Sequence, residues 1–144
     1  MPSMTMRTVT AAATVTAVVA LGASVAGCSN RQAAPNRRGH TGSATASVEN
    51  GVQQVTLVVN DTFRFDPSTI TVHPGKVTIT LVHKGSGAPH DFSVDGAPAD
   101  HVPLVHAGST ESQTFTTPAP GTYRFVCTLH LAQGMTGTLV VLPG

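Results

Sequence analysis

The chain has 144 residues, a formal net charge of +1 and only two cysteines, Cys28 and Cys127. The near balance of charge gives no electrostatic footprint for a nucleic acid, so none is expected as a partner. The length allows one small domain once an export segment is set aside.

Residues 1–27 read as a lipoprotein signal peptide. Arg7 is the one positive charge ahead of an apolar Ala/Val/Thr-rich run. The run ends Val25-Ala26-Gly27-Cys28, which resembles a bacterial lipobox, with Cys28 as the lipidated residue. An ordinary cleaved signal or an uncleaved anchor is the plainer alternative; the Thr residues and small-residue run weigh against a permanent span. Lipidation would tether the protein to a membrane, at about 0.8 kcal/mol per buried methylene. Residues 28–51 lack a hydrophobic period and read as a lipid-anchored flexible linker. Its Arg31, Arg37 and Arg38 make it basic, which suits an anionic membrane surface as well as it suits simple solubility.

From residue 52 to 144 the pattern changes to short alternating runs punctuated by Pro and Gly. This predicts an all-β fold, a Greek-key β-sandwich of seven or eight strands. Strands are expected at 55–59, around Phe63 and Phe65, and at 69–72, 76–83, 90–94, 110–116, 122–127 and 136–142. Val77, Ile79 and Leu81 share one face of their strand, and His90, Phe92 and Val94 one face of theirs. Residues 96–108 read as a long connection. In the strand before the second cysteine, Tyr123, Phe125 and Cys127 share a face. The aromatic pair belongs in the core, so the thiol should enter from the core side.

Cys127-Thr128-Leu129-His130-Leu131-Ala132-Gln133-Gly134-Met135 places a thiol, an imidazole and a thioether within one short stretch. Soft sulfur donors favour copper or zinc over calcium or magnesium. Two His and one Cys with a long axial Met form the blue-copper electron-transfer arrangement. His90, in Pro89-His90-Asp91-Phe92, is the candidate second histidine. The metal ligands expected are therefore His90, Cys127, His130 and Met135. An unoccupied lone thiol in an oxidising exported compartment would be a liability, which also favours a metal at Cys127. An inert buried thiol, a plain core methionine and a zinc site are the bland alternatives. Zinc sites seldom use a thioether, and structural ones are usually richer in Cys. His40, His73, His83, His101 and His106 read as surface or loop residues.

Phe65-Asp66-Pro67, Val72-His73-Pro74-Gly75, Pro89-His90-Asp91-Phe92, the run from Pro120 to Cys127, and His130 with Gly134-Met135-Thr136-Gly137 together resemble the plastocyanin/azurin group of cupredoxins. The resemblance covers about residues 52–142. It implies one mononuclear type 1 copper ion, with His90, Cys127 and His130 in plane and Met135 axial. It also implies a membrane-tethered carrier of single electrons, a monomer docking transiently with a redox donor and acceptor outside the cytoplasm. No enzymatic activity is expected: oxidases need further copper sites, and a binuclear centre needs a second Cys in the loop. A copper chaperone or scavenger that passes on Cu(I) is the alternative use of the same ligands. The sequence departs from the group in two ways. The Asn that often ties the two ligand loops falls at His83, which leaves that bond unaccounted for. The acidic docking patch of plant plastocyanins is not evident.

Overall fold

The computed structural model describes residues 40–144. The signal segment, Cys28 and the first part of the expected linker lie outside the described residues. Among those described, eleven strands form two facing sheets. One sheet has, in hydrogen-bonded order, β1 (Ser43–Thr45), β5 (Thr69–Val72), β11 (Thr136–Val141), β10 (Gly121–Val126), β7 (His90–Val94) and β8 (Ala97–Val105). The other has β2 (Ser47–Glu49), β3 (Val52–Val59), β6 (Lys76–His83) and β9 (Thr110–Thr116), with β4 (Phe65–Asp66) paired to β3. A 3-10 helix, Thr128–Gln133, joins β10 to β11.

Alternation builds the core as expected. In β6, Val77, Ile79, Leu81 and His83 are buried while Thr78, Thr80 and Val82 are half-exposed. In β7, His90, Phe92 and Val94 are buried. Phe65, Phe92 and Phe125 meet at centroid distances of 4.7 to 6.2 Å and fill the centre between the sheets. Burying each ring contributes about 1.5–3 kcal/mol. Gly137 makes this packing possible. A Cβ there would lie 2.2 Å from Phe125 Cζ and 2.6 Å from the Ser68 carbonyl.

Three features differ from the sequence reading. The first is the strand count: β1, β2 and β4 are two or three residues long and add to eight longer strands. The second is the stretch read as a long connection, which holds β8. Its pairing with β7 shifts register twice, and Asp100, Val102 and Val105 are its buried residues, so no period of two survives in the sequence. The third is the linker boundary at residue 51. β1 pairs in parallel with β5, and β2 antiparallel with β3, so this segment passes from one sheet to the other. It covers the edge of β5 in one sheet and the start of β3, whose end pairs with β4, in the other. Thr41 begins the attachment: its N–H donates to Ser68 Oγ (3.0 Å) and its hydroxyl to the Phe65 carbonyl. Small polar residues on an edge carry no hydrophobic pattern, which is why this segment reads as tether.

β3 and β6 run in parallel and end together at Val59 and His83. β7 starts and β10 finishes at that same end. Strand direction therefore gathers His83, His90 and Cys127 at one end of the sandwich.

Candidate metal centre

Cys127 follows β10 directly and keeps an extended backbone, with φ −89° and ψ 119°. Phe125 and Cys127 are fully buried, whereas Arg124 points outward and pairs with Asp95 at 2.5 Å. The parity argument thus holds: the thiol enters from the core. The 3-10 turn then returns the chain at once. The His130 amide donates to the Cys127 carbonyl (3.2 Å), and the Met135 amide donates to the His130 carbonyl (3.2 Å). The Cys127 amide donates to the Met135 carbonyl (3.0 Å). Gly134 closes the turn at φ 76°, a left-handed conformation that suits glycine. Backbone bonds alone therefore hold Cys127, His130 and Met135 together, and all three are buried.

His90 arrives from the facing strand. Cys127 Sγ lies 3.9 Å from His90 Nδ1 and 3.3 Å from His130 Nδ1. The three donor atoms lie within 4.8 Å of one another. Among the described residues this is the one His/Cys/Asp/Glu group placed to share an ion. Met135 belongs to the same buried cluster.

The electrostatics suit a soft cation. Burial, followed by the neighbouring His130 and His83 imidazoles, lowers the His90 pKa to about 4; the Asn60 carbonyl works in the opposite direction. The ring is therefore neutral at ordinary pH, as ligation requires. Its Nε2 is buried without a hydrogen-bond partner among the described residues. Burial also pushes the Cys127 thiol above its ordinary value, while the Asp91 and Leu129 amides pull it down. These amides do not offset the burial of a thiolate, so ion binding and proton release are coupled here. One cysteine sulfur and two imidazole nitrogens, sunk in an apolar core that also holds the Met135 thioether, fit a type 1 copper ion.

Four residues shape the site that the sequence reading did not assign to it. Asp91 follows His90 and points to the other ligand segment: Oδ1 accepts the Thr128 amide (2.7 Å), and Oδ2 accepts the Thr128 hydroxyl. The tie between ligand loops sought at His83 is thus made by Asp91, and its position in Pro89-His90-Asp91-Phe92 was the available signal. His83 is not a surface residue. It is 2% exposed and stacks on His90, with centroids 4.9 Å apart and an angle of 24°. Its Nε2 lies 3.1 Å from the Ala88 carbonyl, and its Nδ1 accepts the Gly85 amide at 3.3 Å, so it braces its own loop. Phe63, read as a strand residue, sits in a turn at φ +55°. A left-handed backbone costs a non-glycine residue about 1–2 kcal/mol. Its ring lies 4.6 Å from that of His130 and 6.1 Å from that of His90. Asp61 accepts the Ser86 and Gly87 amides at 3.1 and 2.9 Å, which ties the Phe63 turn to the loop preceding His90. His40, His101 and His106 are exposed and His73 half-buried, in line with the sequence reading.

Comparison with known proteins agrees with this geometry. The family profile described as a cupredoxin-like domain matches residues 17–141. The chain belongs to the cupredoxin-like domain family. Auracyanin-B of Chloroflexus aurantiacus is 52% identical over 42 residues, 28% of this chain and 18% of that protein. Halocyanin of Natronomonas pharaonis is 35% identical over 104 residues, 65% of this chain and 59% of that protein. The chain thus spans less than two thirds of the length of either curated relative. Among solved structures, auracyanin A of Chloroflexus aurantiacus, titled a "blue" copper protein, aligns with a TM-score of 0.55 at 25% identity. That alignment covers 63% of this chain and 99% of auracyanin A.

Proposed function

We propose that this chain is a single-copper electron carrier, held outside the cytoplasm at a membrane through an acylated Cys28. His90, Cys127 and His130 would hold the metal, with the Met135 thioether as a further, weaker donor. Bound there, copper supplies one-electron exchange between Cu(I) and Cu(II). The observation that carries the reading is the convergence of Sγ and two Nδ1 atoms within 4.8 Å in a buried, hydrogen-bonded frame. The residues keep their places through backbone bonds and the Asp91–Thr128 tie, so the protein itself need not rearrange when charge changes. Full burial of Cys127, His90 and Met135 excludes water from the donor atoms.

Leu129 and Leu131 flank His130 at 51% and 50% exposure. They form an apolar surface where a redox donor or acceptor can dock briefly, in the small interfaces usual for such encounters.

Protein film voltammetry of the copper-loaded full chain, with Cys127→Ser as control, tests the reading. Reversible one-electron waves from the wild type and none from the variant are expected. One-way transfer of Cu(I) to an apo-protein, without reversible cycling, would establish copper delivery instead. Acylation is tested separately by mass spectrometry of membrane-extracted protein and its Cys28→Ala variant.

A further inference from the structure

The His130 ring has one hydrogen-bond contact among the described residues, the Cys127 thiol at 3.3 Å. Its backbone, at φ −124° and ψ 30°, sits at a kink in the 3-10 turn, and the neighbouring leucines face outward. His90, by contrast, is stacked on His83 and lies in a regular strand. Something other than hydrogen bonding must orient the His130 imidazole.

We infer that the turn from Asn60 to Phe63, which supplies no ligand, is a positioning device for His130. Two rings pack on the imidazole, that of His90 at 4.8 Å and that of Phe63 at 4.6 Å, tilted 43°; only Phe63 is not itself a candidate ligand. The turn is closed by its own bonds and tied to one neighbouring loop. Asn60 Oδ1 accepts the Thr62 amide (2.9 Å) and the Thr62 hydroxyl (2.6 Å). The Asn60 carbonyl accepts the Phe63 amide at 3.2 Å. Asp61 accepts two amides of the loop that leads to His90. That loop is shaped to receive the carboxylate, since a Cβ on Gly85 or Gly87 would lie 2.3 or 2.8 Å from Asp61 Oδ1. A glycine at 63 would satisfy the left-handed backbone at less cost but would leave the imidazole uncovered on that side. The strained conformation is kept because it delivers an aromatic ring to a ligand. Phe63 therefore acts through His130, as a positioning residue.

The purpose assigned to the turn rests on the copper-carrier reading; its first readout does not. NMR of the copper-free full chain reports His130 ring resonances directly. In wild type these should be sharp. In Phe63→Ala, and in Asp61→Ala where the ring is kept but the clamp is lost, exchange broadening of His130 is expected with His90 unchanged. Phe63→Tyr, which keeps an aromatic ring, should restore the sharp resonances. In copper-loaded protein, Phe63→Ala should slow electron self-exchange by about tenfold or more, as small misplacements of a reacting group do. Phe63→Tyr should remain close to wild type. Sharp His130 resonances in both alanine variants would overturn the proposal, as would self-exchange unchanged in Phe63→Ala. Should Phe63→Ala fail to fold, Asp61→Ala alone decides. Absence of a copper signal in wild type would sink the carrier reading without touching the copper-free result.

Discussion

The two ends of the sandwich close in opposite ways. At the end away from the ligands, Gln53 is buried and its amide is used twice: Oε1 accepts the His73 amide (2.7 Å), and Nε2 donates to the His73 carbonyl (2.8 Å). Thr117 exchanges bonds with Gly75 beside it, at 2.9 and 3.0 Å. These polar groups are satisfied within the fold. At the ligand end a thiol and three imidazoles are buried together, and His90 Nε2 has no hydrogen-bond partner among the described residues. The far end is finished by its own hydrogen bonds, while at the ligand end Cys127 Sγ faces the Nδ1 atoms of His90 and His130 at 3.9 and 3.3 Å, three donor atoms that a bound cation can share.

Substitutions can break or sharpen this contrast. The largest effect on the scaffold is expected from Gly137→Ala, because the new methyl group would collide with Phe125 and the Ser68 backbone beneath the site. Overpacking of this kind costs about 2–3 kcal/mol, and thermal unfolding of copper-free protein should show a clear drop. Next comes Asp91→Ala, which severs the tie to Thr128. Copper affinity should fall by about tenfold or more, the usual cost of losing an outer contact to a metal site, as measured by competition with a chelator. Gln53→Ala should cost about 1–3 kcal/mol by stranding the His73 backbone groups, while leaving the spectrum of bound copper unaltered. If that far-end change altered the spectrum, the two ends would not be independent.

The smallest effect concerns Asp100, whose carboxyl burial raises above its ordinary value. An acid with a raised folded-state pKa favours the fold when protonated, and that advantage is lost as pH rises through the folded pKa. Asp100→Asn should therefore raise the melting temperature slightly at pH 7 and lose its benefit in acid, checked by calorimetry at both pH values.

Much of the fold and the metal centre was legible in the sequence. Val77 to Leu81 and His90 to Val94 alternate cleanly because each strand has one buried face. Cys127, His130 and Met135 are close in sequence, and their spacing is itself the geometry of a short turn. β8 was hidden because its register shifts scramble the alternation. β1 and β2 were hidden because exposed edge strands need no apolar pattern. The supporting residues were hidden for another reason. Phe63 looks like any alternating aromatic, and its left-handed backbone arises from tertiary bonds that no local pattern announces. Asp91 stood beside a ligand, but its partner Thr128 is 37 positions away. The candidate ligands are written in local motifs, whereas their bracing is written across the fold.

The most direct test is a copper titration of the full chain followed by visible absorption and electron-spin resonance. An intense blue band that saturates at about one equivalent, with the narrow copper hyperfine splitting of a thiolate-bound ion, is the result predicted for the Sγ and two-imidazole set. A copper-replete but colourless protein, or a signal that Cys127→Ser leaves intact, would contradict it.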